Sequence, residues 1–107
     1  MVKRKLPEKV IKAVQKYIAI LKTGNLPISA VYVFGSYAKG KEHEDSDVDV
    51  AVISPQFKNS WEALQYLWRN RPQDLGMPIE PVGFSPDDFK SKYSSLINEI
   101  KTYGVVI

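Results

Sequence analysis

The sequence predicts one α/β (α+β) domain in which a small mixed β-sheet is covered by helices. The chain has 107 residues, enough for one domain with one core. Apolar positions at helical spacing alternate along the chain with short runs of β-branched and aromatic residues. Hydrophobic residues make up 44% and charged residues 25%, the balance of an ordinary globular domain. We therefore assign residues 1–107 to a single domain.

The elements are predicted from apolar spacing and from the residues that begin and end helices and strands. In chain order we predict a helix at residues 7–22, a strand at 29–34, a short helix at 37–40, a strand at 47–53, a helix at 60–70, a strand at 79–84, a helix that starts at 85–88 and a short strand at 105–107. A charged loop at residues 41–46 joins the first two strands.

Helix signals are strongest in the first and last helices. In the first helix, Pro7 and Glu8 suit the first turn and Gly24 suits the end. In the last helix, Ser85 is a cap residue and Pro86 takes the first position. Both helices have an apolar face. These faces consist of Leu6, Val10, Val14, Ile18 and Leu21 in the first helix, and of Phe89, Tyr93, Leu96, Ile97 and Ile100 in the last.

The second long helix and the third strand each contain residues that predict how the element packs. Trp61, Leu64 and Trp68 lie on one side of the second long helix. This spacing predicts core packing with partial exposure, and a protein interface is the alternative. Pro81 lacks an amide donor, so we expect the third strand at a sheet edge or with a bulge.

Composition narrows the classes of protein to consider. The chain contains no cysteine, which excludes disulfides, zinc–thiolate sites and a cysteine nucleophile. Its apolar runs are far shorter than the roughly 20 residues that span a bilayer. The basic run Lys3-Arg4-Lys5 is not followed by the apolar stretch of a signal peptide. We therefore expect a cytoplasmic protein that does not contact a membrane.

The net charge of +3, from 15 Lys and Arg against 12 Asp and Glu, is a mild basic excess. It is compatible with an anionic ligand. A nucleic-acid surface would need more basic residues interleaved with aromatic ones, whereas Lys3-Arg4-Lys5 is typical of a solvated edge. Nucleic-acid binding is therefore a weaker hypothesis, which predicts salt-dependent binding to tRNA or DNA.

The central motif is Gly35-Ser36, ten residues, then Asp47-Val48-Asp49. Residues two apart on a strand point to the same face, so Asp47 and Asp49 project together while Val48 points to the opposite side. Two neighbouring carboxylates repel each other unless a cation lies between them. Mg²⁺ prefers such oxygen ligands and often shares them with substrate phosphates.

The Gly35-Ser36 turn supplies groups that suit a phosphate. Glycine lets the backbone approach a ligand closely, and the amides of the following helix favour an anion. The Ser36 hydroxyl can donate a hydrogen bond. Lys39, one turn further along, is a candidate phosphate ligand as a point charge. The turn is not a Walker A loop, because the Gly-Lys-Ser/Thr ending is absent.

Each half of this motif has an ordinary structural explanation. A lone Gly-Ser pair is usually a turn, and a lone Asp-x-Asp is usually a solvated strand end or a cap. Their combination in the order strand, turn, short helix, loop and strand favours a binding site. Acidic residues in an otherwise apolar strand also call for a functional reason.

The motif and its flanks resemble the DNA polymerase beta-like nucleotidyltransferase superfamily, in its smallest branch, the minimal nucleotidyltransferase domains. The flanks that carry the resemblance are Val-Phe-Gly-Ser-Tyr-Ala-Lys-Gly and Ser-Asp-Val-Asp-Val-Ala-Val. The family pattern is Gly-Ser, a spacer near ten residues, and Asp-x-Asp. The resemblance extends over most of the chain and implies the nucleotidyltransferase fold.

The resemblance also implies a third carboxylate on a later strand. Glu80 is the only acidic residue centred in such a strand. In the family role it would help to hold a metal ion or take the proton of the attacking hydroxyl. The family more often has aspartate there, and an exposed glutamate at a sheet edge is the alternative. The weaker candidates are Asp74, Asp87 and Asp88, which lie in a predicted loop and at a predicted helix start. The implied catalytic and metal-binding set is Asp47, Asp49 and Glu80.

From the resemblance we expect transfer of a nucleoside monophosphate, AMP from ATP, to a hydroxyl acceptor, with two Mg²⁺ ions and release of pyrophosphate. Gly35, Ser36 and Lys39 would bind the phosphates of the nucleotide. The minimal branch commonly acts with a helical HEPN-type partner protein, as the antitoxin of a toxin–antitoxin pair. The alternative is a non-catalytic nucleotide-binding module that neutralises or regulates a partner by binding.

Overall fold

The computed structural model describes residues 5–43 and 46–107. Lys3 and Arg4 of the basic run, and Glu44 and Asp45 of the predicted loop, lie outside the described residues. The elements in chain order are α1 (Glu8–Thr23), β1 (Ala30–Phe34), α2 (Ser36–Lys39), β2 (Val48–Ile53), α3 (Ser60–Arg69), β3 (Ile79–Phe84), a 3₁₀ helix (Asp88–Lys90), α4 (Ser95–Tyr103) and β4 (Val105–Val106). The predicted alternation of helices and strands is confirmed.

The four strands form one mixed sheet in the order β3-β2-β1-β4. Strand β1 is antiparallel to β2 and to β4, whereas β2 and β3 run parallel. The crossover between the parallel strands contains α3, as parallel pairing requires a long connection. Strand β3 is an edge strand, as Pro81 predicted, because an edge tolerates a missing amide donor.

Alternating side chains give the sheet two apolar faces. One face, here the α1/α3 face, packs against α1 and α3 through Val31, Val33, Val48, Val50 and Val52. The opposite α4 face packs against Ile97 and Ile100 through Phe34, Ala51, Ile53 and Phe84. The sheet is therefore covered by helices on both sides. Within the two described ranges, no helix is long and apolar enough to cross a membrane.

A buried tyrosine joins the two helices of the α1/α3 face. The Tyr17 hydroxyl donates a hydrogen bond of 2.5 Å to the backbone oxygen of Leu67. The Tyr17 side chain is fully buried, and this burial raises the pKa of its phenol well above the ordinary value. The hydroxyl therefore stays a neutral donor and satisfies a carbonyl oxygen near the end of α3.

The prediction of one continuous last helix is wrong. Its predicted start is present, since the Ser85 hydroxyl accepts a hydrogen bond from the Asp88 amide. The first turn nevertheless ends with the 3₁₀ helix, and α4 begins separately at Ser95. Tyr93, expected on the apolar face, lies in the break and is 97% exposed.

Serine side chains explain the break. The Ser91 hydroxyl accepts a hydrogen bond from the Tyr93 amide, and the Ser94 hydroxyl accepts one from the Ile97 amide. Hydroxyls that bond to nearby backbone amides compete with helix continuation and favour a new helix start. Ser94 is accordingly the N-cap of α4.

The aromatic stripe of α3 is more exposed than expected. Trp61 and Trp68 are 64% and 41% exposed, and the buried residues of α3 are Ala63 and Leu67. The Trp68 ring lies instead beside Arg71, whose guanidinium carbon is 4.2 Å from the ring centre. The small side chain of Ala63 faces β3, so α3 approaches the sheet along that line and the larger rings stay outside.

Substitution of Gly83 tests the close packing between α3 and β3. A Cβ on Gly83 would lie 2.7 Å from Phe57, 2.8 Å from Ala63 and 2.9 Å from Leu67. We expect Gly83→Ala to lower the free energy of unfolding by about 1–3 kcal/mol, because the added methyl group has no space. Chemical denaturation measures this change.

The matched control is Gly24→Ala. A Cβ on Gly24 would approach no atom more closely than 3.4 Å. Its stability should stay within about 1 kcal/mol of the parent protein. Equal destabilisation by the two substitutions would contradict the packing described for β3.

Candidate active site

Three predicted site residues lie together at one end of the sheet. Asp49 in β2 lies opposite Glu80 in the parallel register with β3. On its other side it lies opposite Phe34, the last residue of β1. Asp47 immediately precedes β2. The structure therefore places Glu80, which was predicted from the family resemblance alone, beside Asp49.

Asp49 points to the α4 face of the sheet. Its neighbours Val48 and Val50 are buried on the α1/α3 face, and successive residues of a strand alternate between the two faces. Glu80 shares the α4 face because it is paired with Asp49 in register. The side chains of Asp49 and Glu80 therefore lie on the side of the sheet that α4 covers.

The Asp49 carboxyl is crowded by other acids. Its pKa is raised to about 6, first by burial, then by the charge of Glu80 and a side-chain hydrogen bond with it, and further by the charges of Asp47 and Glu99. Burial disfavours the ionised form, and neighbouring negative charges act in the same direction. A cation bound near Asp49 would offset this repulsion.

The turn at Gly35 is pressed against Asp49. Gly35 directly follows β1 with φ 75° and ψ −148°, a conformation essentially restricted to glycine. A Cβ on this residue would collide with Oδ2 of Asp49. Backbone conformation and available space therefore both require glycine at this position.

Ser36 and Lys39 are the first and last residues of α2. Ser36 is half-buried and adjoins the Gly35 turn. The Lys39 ammonium forms an ion pair of 3.0 Å with Oε1 of Glu99 and lies 5.1 Å from the centre of the Tyr103 ring. The predicted phosphate ligand is therefore held against α4, and its role toward phosphate stays a prediction.

Glu99 is a residue of this region that the sequence analysis missed. It lies 60 positions after Lys39, and its charge contributes to the raised pKa of Asp49. No motif surrounds it, and acidic residues of helices usually face solvent. What brings it here is the packing of α4 on the sheet through Ile97 and Ile100.

The acidic side chains offer the oxygen ligands that Mg²⁺ prefers. We call Asp47, Asp49 and Glu80 the site carboxylates; their charges interact, as the raised pKa of Asp49 shows. Within residues 5–43 and 46–107, no three acidic or histidine side chains have the spacing of a complete metal-binding group. The donor chemistry fits a hard cation that takes further oxygen ligands from a substrate, as Mg²⁺ commonly does.

Comparison with known protein families identifies the class of this domain. The family model described as a nucleotidyltransferase domain matches residues 14–106. The matched region includes the Gly35 turn and all three site carboxylates. The chain therefore belongs to the nucleotidyltransferase domain family.

Two relatives are similar to this chain over most of its length. The chain is 27% identical over 92 residues to protein adenylyltransferase MntA of Shewanella oneidensis, a match that covers 83% of this chain and 60% of that protein. It is 30% identical over 101 residues to a Methanocaldococcus jannaschii protein assigned as a protein adenylyltransferase, covering 92% and 95% of the two chains. The chain thus spans less than two thirds of the Shewanella protein.

Solved structures share the fold. A Sulfolobus solfataricus protein assigned as a nucleotidyltransferase superposes with a TM-score of 0.63 at 15% identity, covering 92% of this chain and 82% of that chain. A toxin–antitoxin structure with AMP-PNP superposes with a TM-score of 0.57 at 26% identity, covering 86% and 69%. The predicted nucleotidyltransferase fold is confirmed.

The raised pKa of Asp49 predicts a pH-dependent stability of the metal-free protein. Above a pH of about 6 the carboxyl is ionised in the folded and the unfolded protein, and the folded state bears the unfavourable charge. As the pH falls from about 6 toward the ordinary value of 3.8, the folded protein binds the proton first and becomes relatively more stable.

We therefore expect Asp49→Asn, which is neutral at every pH, to stabilise the protein at about pH 8 and to have little effect near pH 4. Denaturation in the presence of a chelator, repeated across this pH range, measures the difference. Asp88→Asn is the control, because Asp88 is exposed and lies beyond the other end of β3. If the stability difference between Asp49→Asn and the parent protein did not change with pH, the raised pKa of Asp49 would be contradicted.

The contact between Gly35 and Asp49 is tested by a double-mutant cycle. We expect Gly35→Ala to destabilise the protein by about 1–3 kcal/mol through backbone strain, with a further loss from the collision. Gly35→Ala combined with Asp49→Ala removes the collision but keeps the strain. The two substitutions should therefore be non-additive by about 0.5–3 kcal/mol, and additive effects on the free energy of unfolding would contradict the contact.

Proposed function

We propose that this chain transfers AMP from ATP to a hydroxyl group of a partner protein. The observation that supports this most directly is the contact of the Gly35 turn with the Asp49 carboxyl, because it places a turn suited to phosphate beside the site carboxylates. Two relatives carry protein adenylyl transfer in their names. The toxin–antitoxin neighbour was solved with AMP-PNP, an ATP analogue.

The proposed reaction joins the acceptor oxygen to the α-phosphorus of ATP. The bond from the α-phosphorus to the bridging oxygen breaks, pyrophosphate leaves, and the proton of the acceptor hydroxyl moves to a carboxylate. Asp49 and Glu80 are the candidate bases, since they are adjacent in register.

The phosphates of ATP are proposed to bind at Gly35, Ser36 and Lys39. The Ser36 hydroxyl can donate a hydrogen bond to a phosphate oxygen, and Lys39 supplies positive charge. Mg²⁺, held by the site carboxylates, would offset the charge of the phosphates when bound. Because the Gly35 backbone lies against the Asp49 carboxyl, a phosphate bound at this turn would lie near the site carboxylates.

We propose a helical HEPN-type protein as the partner and one of its tyrosines as the acceptor. The resemblance to the minimal nucleotidyltransferases implies this partner, and the toxin–antitoxin neighbour supports a protein partner. The chain would then be the antitoxin that neutralises the toxin by adenylylation. A reaction that consumes ATP agrees with the cytoplasmic location predicted from the sequence.

ATP labelled at the α-phosphate tests the transfer. With Mg²⁺ and a co-expressed helical partner, this label should enter the partner, whereas a label at the γ-phosphate should not, because it leaves with pyrophosphate. Asp47→Asn and Asp49→Asn should each lower the initial rate by at least about a hundredfold, since each weakens a metal contribution of several kcal/mol. Mass spectrometry of the partner locates the adenylyl group.

Asp88→Asn again serves as the matched control and should transfer at the rate of the parent protein. Transfer by the Asp47→Asn and Asp49→Asn proteins at the parent rate would contradict the proposal. Neutralisation of the partner without any label, retained in both of these variants, would instead favour the non-catalytic nucleotide-binding module.

A further inference from the structure

A charged contact links α4 to the end of α2. The Lys39 ammonium lies 3.0 Å from Oε1 of Glu99, and the Tyr103 ring, one turn further along α4, has its centre 5.1 Å from the same ammonium. The side chains of Lys39 and Glu99 are only 30% and 34% exposed. The pair Lys12–Glu8, by comparison, has side chains 71% and 81% exposed. The contact of α2 with α4 is therefore better shielded from water, and it is screened less.

This contact lies beside the Gly35 turn. The Lys39 amide donates a hydrogen bond of 3.1 Å to the Gly35 carbonyl oxygen, so the lysine is fixed one helical turn from Gly35. Glu99 lies close enough to Asp49 for its charge to affect that carboxyl. The Lys39 backbone is therefore tied to the Gly35 turn, and its ion-pair partner Glu99 lies within electrostatic range of Asp49.

We propose that Glu99 is a positioning residue that holds the Lys39 ammonium at the site of the nucleotide triphosphate. The proposal rests on the proposed function, since it requires ATP to bind at the Gly35 turn. Glu99 would act by positioning Lys39 and would not itself contact the nucleotide.

The chemistry of the lysine side chain supports this role. An ammonium group has three N–H donors, so one hydrogen bond to Glu99 leaves two for phosphate oxygens. A lysine side chain also loses much rotamer freedom when it is fixed. Glu99 and Tyr103 restrict it in the folded protein, so less freedom remains to be lost when ATP binds.

A binding cycle tests the proposal with four proteins: the parent, Glu99→Ala, Lys39→Met and the double variant. The Kd for ATP in the presence of Mg²⁺ is measured by calorimetry. We expect Glu99→Ala to weaken ATP binding by about threefold to tenfold in the parent and to have no effect when Lys39 is already Met. Adenosine, which has no phosphate, should bind all four proteins equally.

Two further variants separate this role from a general loss of structure. Glu99→Gln keeps the side-chain size and an oxygen acceptor, so it should weaken ATP binding less than Glu99→Ala. Glu8→Ala removes the acid of the exposed pair with Lys12 and should leave ATP binding unchanged. Weaker binding of both ATP and adenosine by Glu99→Ala would indicate lost structure and would overturn the proposal.

Three other results of the binding cycle would also overturn the positioning role of Glu99. A similar loss from Glu99→Ala with and without Lys39 would show that Glu99 acts independently of the lysine, which overturns the positioning role while the proposed function stands. Tighter ATP binding by Glu99→Ala would show that Glu99 restrains the lysine and would also overturn it. Failure of the parent protein to bind ATP at all would overturn the proposed function and this proposal together.

Discussion

The candidate site depends on the close approach of the Gly35 backbone to the Asp49 carboxylate. The antiparallel register of β1 and β2 places Phe34 opposite Asp49, so the chain leaves β1 directly beside that carboxylate. Only a residue without a Cβ can turn there. A slip of one residue would move Asp49 to the other face of the sheet. The two halves of the motif are therefore one structural unit, although ten residues separate them.

This arrangement has an electrostatic cost that the rest of the fold offsets. Burial and neighbouring acids raise the pKa of Asp49 to about 6, so the folded state disfavours its ionised form. Apolar packing on both faces of the sheet stabilises the domain against this cost. Acidic side chains whose pKa is shifted by burial and by neighbouring charges are typical of functional sites.

The helix α4 connects the apolar core with the charged region. Ile97 and Ile100 are buried on the sheet, and Glu99, between them in sequence, reaches Lys39 at the flank of the helix. The separate start of α4 at its Ser94 cap sets where its residues fall along the sheet. An uninterrupted helix from Ser85 would carry these side chains along a different line. Hydrogen bonds of serine hydroxyls therefore contribute indirectly to the position of Glu99.

Local patterns predicted most of the elements, because each depends on neighbours in the chain. The strand at 79–84 coincides with β3, and the first helix differs from α1 by one residue at each end. Apolar spacing failed where another local force competed with it, as at Ser91 and Ser94. It also failed at Trp61, because amphipathic spacing shows that a helix has an apolar side but not how deeply that side is buried.

The sequence by itself determined the strand that carries Asp49, the opposite orientation of Asp49 and its neighbour Val48, and the need for glycine before Ser36, since strand alternation and backbone sterics act locally. It also indicated the nucleotidyltransferase family through the spacing of the motif. Only the tertiary structure decided that Glu80 lies beside Asp49 and that Glu99 holds Lys39. These contacts join residues far apart in the chain, and strand register and helix packing bring such residues together.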